Sequence, residues 1–124
     1  MVTALMIRPA EYPKITMLCD DADYLDRAVS IDTNLLCSAS VLKIAKGVVA
    51  IFATGAGSLN LKGNRKVGKR IITGTFYIVR VSQGKLCSLT DEDITKYTAK
   101  FWETEIYTDD EITESWFDGL FCAL

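Results

Sequence analysis

Short runs in which apolar residues alternate with polar ones dominate the first two thirds of the chain. A helical period emerges only towards its end. Val2 to Ile7 is a β-prone run closed by Arg8-Pro9, and Lys14-Ile15-Thr16-Met17-Leu18 alternates as a half-buried strand does. Together they predict a hairpin with proline in its loop. Asp20 or Asp21 is placed to cap a short helix whose inner face is Leu25, Ala28 and Val29, with Asp23 and Arg27 four apart in the favourable order. Leu35 to Ala53 is apolar with little interruption. Val41–Ile44 and Val48–Phe52 read as two strands joined at Lys46-Gly47, a buried helix in part of this stretch being the alternative. Gly55 opens a loop expected to run to about Arg70. Ile71 to Val81 then reads as one long strand, turning through Ser82-Gln83-Gly84-Lys85 into Leu86–Leu89.

The clearest local signals start two final helices. Thr90 with Asp93 resembles a capping box, after which Ile94, Tyr97 and Phe101 share one helical face. Thr108 with Glu111 is a capping box in full form, Asp109 and Asp110 suit the positive end of the dipole, and Ile112, Trp116 and Leu120 recur every four residues. The pattern predicts an α+β fold in one domain. Its mostly antiparallel sheet has about five or six strands, with two or three helices mainly on one face. Residues 1–102 form the body, and 103–124 are an acidic, aromatic helical extension of the same domain.

Composition narrows the class. With 124 residues, 49% of them hydrophobic and 24% charged, the chain is too apolar to be disordered and long enough to bury a real core. No apolar run reaches the length of a membrane span, and the first residues lack the marks of a secretory signal. A cytoplasmic location in a host cell and no membrane partner are therefore expected. Cys19, Cys37, Cys87 and Cys122 have no zinc-type spacing and are read as buried thiols in a reducing compartment. The absence of histidine removes the commonest general base and the Ser-His and Cys-His nucleophilic systems. A protein that is not an enzyme, with no cofactor and no metal, is the expectation. The carboxylates at 91–93 and 109–111 are explained as helix starts.

Charge changes the picture more than composition does. Residues 33 to 90 carry nine bases and no acid, whereas residues 91 to 124 carry ten acids and two bases. Five bases crowd into Lys62-Gly63-Asn64-Arg65-Lys66-Val67-Gly68-Lys69-Arg70. Like charges so close repel unless something compensates them. Three readings stay open: a solvated loop, an internal match with the acidic final segment within or between protomers, or a site for an anionic partner. Arginine and asparagine beside two glycines suit phosphate, which makes Asn64, Arg65, Lys66, Lys69 and Arg70 the candidate ligand-binding residues. Gly63-x-x-x-x-Gly68-Lys69 falls short of a P-loop, since Arg70 replaces the magnesium-holding Ser or Thr and a β-prone run follows. The acidic final segment argues against a long nucleic acid. Trp116, Phe117, Leu120 and Phe121 either dock the last helix on the parent sheet or present an acidic, aromatic surface, and are the candidate partner-binding residues.

The order Asn64-Arg65, Gly74-Thr75-Phe76-Tyr77-Ile78-Val79 and Ser88-Leu89-Thr90-Asp91-Glu92-Asp93-Ile94 resembles a small domain family of unknown function, encoded largely by phages and mobile elements of Firmicutes and related bacteria. The match spans roughly residues 3 to 102. The resemblance implies a small intracellular phage protein that counters a host defence. The function expected is therefore non-enzymatic binding that sequesters an anionic small molecule, such as a nucleotide signal, or blocks a host defence protein. The alternative is a phosphate- or nucleic-acid-binding accessory protein of a phage or mobile element. A homo-oligomer is a further alternative.

Overall fold

The computed structural model describes residues 1–31, 37–54 and 61–122, with the side chains of 116–122 outside the description. Strands β1 (Val2–Ile7) and β2 (Lys14–Leu18) form the expected hairpin, and α1 (Ala22–Val29) follows, capped by the Asp21 carboxylate accepting from Tyr24 N at 3.0 Å. Strands β3 (Ser38–Ala45) and β4 (Val48–Thr54) pair antiparallel around Lys46-Gly47, as the apolar runs predict. The main sheet runs β2-β1-β7-β4-β3, where β7 is Phe76–Ser82, and β8 (Lys85–Cys87) joins it by pairing with β7. Every pairing in it is antiparallel.

Two expectations need correction. The predicted loop up to Arg70 contains a strand, β5 (Gly63–Val67), which pairs with β6 (Arg70–Thr73) in a small sheet of its own. Gly68, at φ 62, takes the first central position of the turn, where a two-residue hairpin loop favours glycine. The predicted long strand from Ile71 to Val81 is in fact β6 and β7, broken at Gly74. That residue has φ 70, and a Cβ added to it would stand 2.7 Å from Leu61 Cδ1, so the break needs glycine on two counts.

The helices also divide between the faces of the sheet instead of gathering on one. Leu5, Ile7, Ala50, Phe52, Phe76 and Ile78 point to one side. There they pack with Val67 and Ile72 of the small hairpin and with Tyr97 and Phe101 of α2 (Asp91–Lys100). Phe76 and Phe101 meet edge to face at 5.6 Å, a favoured aromatic geometry. Alternate residues, among them Ala4, Ile51, Tyr77 and Val79, pack on the other side with Val29 of α1. Helix α1 reaches both outer strands of the sheet. Tyr24 Oη donates to Met17 O of β2 at 3.3 Å, and the Asp26 carboxylate accepts from Ala39 N of β3 at 2.7 Å.

The last helix, α3 (Asp109–Cys122), docks on its own domain. Thr108 and Glu111 exchange the hydrogen bonds of the capping box, Ile112 is buried, and Ser115 Oγ accepts from Ile71 N of β6 at 2.6 Å. The side chains of Trp116, Phe117, Leu120 and Phe121 lie outside the described residues. Cys37 is buried as expected, whereas Cys19 and Cys87 are half-buried thiols. Among the described residues no helix is long and apolar enough to cross a membrane.

Helix α2 is tied to the sheet electrostatically. Thr90 caps it in a reciprocal box with Asp93, and Arg80 of β7 donates to the same carboxylate, Nε to Oδ2 at 2.5 Å and Nη2 to Oδ1 at 3.0 Å. The Arg80 fork, with Thr90, holds the Asp93 carboxyl down at about 2, against an ordinary value of 3.8. Because the folded value is depressed, the contribution is complete above 3.8 and is lost as the pH falls from there through 2. Asp93→Asn is expected to cost roughly 1–3 kcal/mol at neutral pH. The gap between variant and wild type in urea unfolding should close towards pH 2, and a gap independent of pH would exclude this carboxylate as its source.

Candidate functional site: a cationic groove

The basic cluster separates into three groups with different roles. Asn64 and Arg65 are both 0% exposed, so neither meets a ligand in this fold. A β-bulge between Gly63 and Arg65 turns two consecutive side chains inward. Asn64 Nδ2 donates to Ile7 O and to Gly74 O, each at 2.8 Å. Arg65 donates from Nε to Phe101 O at 3.1 Å, from Nη1 to Asn64 Oδ1 at 2.8 Å and from Nη2 to Glu11 O at 2.7 Å. Burial pulls the Arg65 guanidinium below its usual pKa, while nearby Glu105 and Tyr107 favour the charged form. The anion-binding role expected of Asn64 and Arg65 is therefore corrected to an internal one. Their donors are spent on backbone oxygens and on each other.

Lys66 lies along the edge of the hairpin that α3 covers. Its backbone N–H donates to Glu105 Oε1 at 3.2 Å, and it lines a shallow polar hollow with Lys69, Tyr107, Glu111 and Glu114. Thr108 holds the Glu111 carboxyl below its usual range, and Lys66 adds a smaller pull in the same direction. Burial, with a hydrogen bond to Glu105, pushes the Tyr107 hydroxyl up to about 12. On this edge the internal reading holds: the acidic final segment of the same chain meets part of the basic hairpin.

Lys69 and Arg70 also border a second concavity, an open groove of about 390 Å³. Its apolar lining is Leu42 and Ile44 of β3 with Val67 of β5, and Lys69, Arg70 and Lys100 supply its charge. Lys43 also borders it, but stands between Leu42 and Ile44 opposite Val49, the position that alternates to the other face of the sheet. Among the described residues no carboxylate lines it. Two elements deliver these charges: the glycine turn of the small hairpin and the last turn of α2. The Arg70 guanidinium lies 4.8 Å from the centre of the Phe52 ring, a cation–π contact. It is half-buried, burial pulls its pKa below the usual value, and among the described residues it makes no hydrogen bond or ion pair. A desolvated guanidinium with unused donors, among ammonium groups and away from acids, favours an incoming anion.

Sequence reasoning thus found Lys69 and Arg70 and missed Lys100, which sits in an acidic stretch with no spacing rule to link it to the hairpin. Among the described residues no group of three or more His, Cys, Asp or Glu is placed to hold a metal. A separate hollow of about 340 Å³ lies on the α1 face, floored by Val49, Ile51 and Val81 with Asp20, Asp26 and Lys85 also lining it. Tyr12 and Trp102, both about half exposed, stack with ring centroids 4.2 Å apart.

Arg65→Ala is expected to act on stability. It strips the donor from three core oxygens, at a cost of roughly 1–3 kcal/mol for each left unsatisfied. Arg65→Lys should not rescue it, because one ammonium group lacks the planar fork that reaches acceptors on three segments. An unchanged urea midpoint in Arg65→Ala would disprove the bracing role. Among known proteins, no family model, no curated protein and no solved structure matches the chain.

Proposed function

We propose that this protein is a non-catalytic binding protein that captures an anionic partner in the groove bordered by Lys69, Arg70 and Lys100. The observation that carries this reading is Arg70, half-buried, in contact with the Phe52 ring and without an acidic partner among the described residues. An arginine that had only to be solvated would not sit partly desolvated beside two further lining cations, since mutual repulsion raises the cost of that arrangement. Binding by fixed charge on a preformed surface requires no base, nucleophile or metal. The resemblance to a phage-encoded family supplies the context of this proposal: a counter-defence protein that sequesters a nucleotide signal or blocks a host immune protein.

The proposal moves the ligand-binding role from Asn64 and Arg65 to Lys100, and keeps Lys69 and Arg70. Thermal unfolding with sodium triphosphate and with poly-glutamate, at low and at raised salt, tests it. One of these polyanions is expected to raise Tm by several degrees at saturating concentration. The rise should shrink in high salt and be absent in Arg70→Ala. If neither polyanion shifts Tm, or if Arg70→Ala responds as wild type does, the groove is not an anion site.

A further inference from the structure

Resting on that reading, we infer that the groove takes an acidic protein segment carrying a bulky apolar anchor, not a nucleotide or a compact phosphate. Three observations point there. The first is the lining: it is mostly apolar, with Leu42, Ile44 and Val67 in it, and every polar side chain on it among the described residues is a cation. No described Asn, Gln, Ser, Thr, Asp or Glu lines the groove, so no described side chain there both accepts and donates to read the edge of a base or a ribose hydroxyl. A small hydrated phosphate would leave the aliphatic lining in water, whereas a leucine or aromatic side chain would cover it.

The second is how the charge is spread. The pair Lys69 and Arg70 and, separately, Lys100 come from two elements beside an apolar floor. That layout matches carboxylates distributed along a peptide beside an anchoring side chain. It does not match the charge of one phosphoryl group, which is concentrated on a few oxygens.

The third is a precedent within the molecule. The same hairpin already receives such a segment where α3 docks: Glu111 and Glu114 line one hollow with Lys66 and Lys69, Ile112 is buried, and Ser115 accepts the Ile71 N–H. Lys69 lines both hollows. The partner segment therefore repeats, in trans, the chemistry that docks the chain's own acidic helix.

The test is fluorescence anisotropy of the full chain with two short labelled peptides. One alternates Asp or Glu with Leu and Trp, and its twin has serine at every apolar position. ATP and a labelled oligothymidylate are the rival probes. The apolar-anchored peptide is expected to bind with affinity that falls as salt rises, and its serine twin about tenfold or more weaker. Arg70→Ala should weaken the anchored peptide about tenfold or more. Lys100→Glu, an exposed change that leaves the Phe52 contact intact, should weaken it in the same direction. Equal binding of the serine twin, or tighter Arg70-dependent binding of ATP or the oligothymidylate, would overturn the peptide assignment while leaving an anion site in place. Failure of every probe, or binding that ignores both substitutions, would remove the anion site itself and the peptide assignment with it.

Discussion

One buried guanidinium joins the parts of this domain that the sheet alone does not hold together. Arg65 donates to the loop between β1 and β2 at Glu11, to the end of α2 at Phe101, and to Asn64 beside it, which in turn bonds Ile7 and Gly74. Taking an arginine out of water costs several kcal/mol and is offset only when its donors are fully used. Here backbone oxygens, already committed to the interior by the fold, supply the acceptors. The small hairpin is thereby seated on the sheet in one position, with Val67 and Ile72 in the core.

That seating decides what the two edges of the hairpin meet. One edge faces α3 and its carboxylates. The other faces β3 and the end of α2, where the described lining is cationic and aliphatic. The uneven spread of charge along the chain becomes, in three dimensions, partial neutralisation on one side and an uncompensated cluster on the other. The balance is set by where the helix lies and not by net charge, which is only −2.

Features governed by near neighbours were legible from the residues. Asp21, Thr90 and Thr108 cap helices as their spacing implies, and Lys46-Gly47 and Gln83-Gly84 turn the chain where expected. Strand β5 was hidden because two of its three inward residues are Asn64 and Arg65, so it lacks the apolar alternation by which a strand is recognised. The interruption at Gly74 was hidden among β-branched and aromatic neighbours, since the side chain that forbids a Cβ there belongs to Leu61. Half of the site was visible as a cluster of basic residues. Its division into buried braces, a covered edge and an open groove depends on which way each side chain points. A bulge between Gly63 and Arg65 sets that direction, and no local rule announces it.

Helix α1 has a consequence that reaches beyond the fold of a single molecule. An antiparallel sheet ending in strands with unused backbone groups invites further chains to add on, the route to ribbons and insoluble fibres. From one face α1 occupies an oxygen on β2 through Tyr24 and an N–H on β3 through Asp26, while Pro13, just ahead of β2, has no N–H to offer. Eight helical residues thus occupy one backbone group on each border at once, which lessens what either border offers to an added strand.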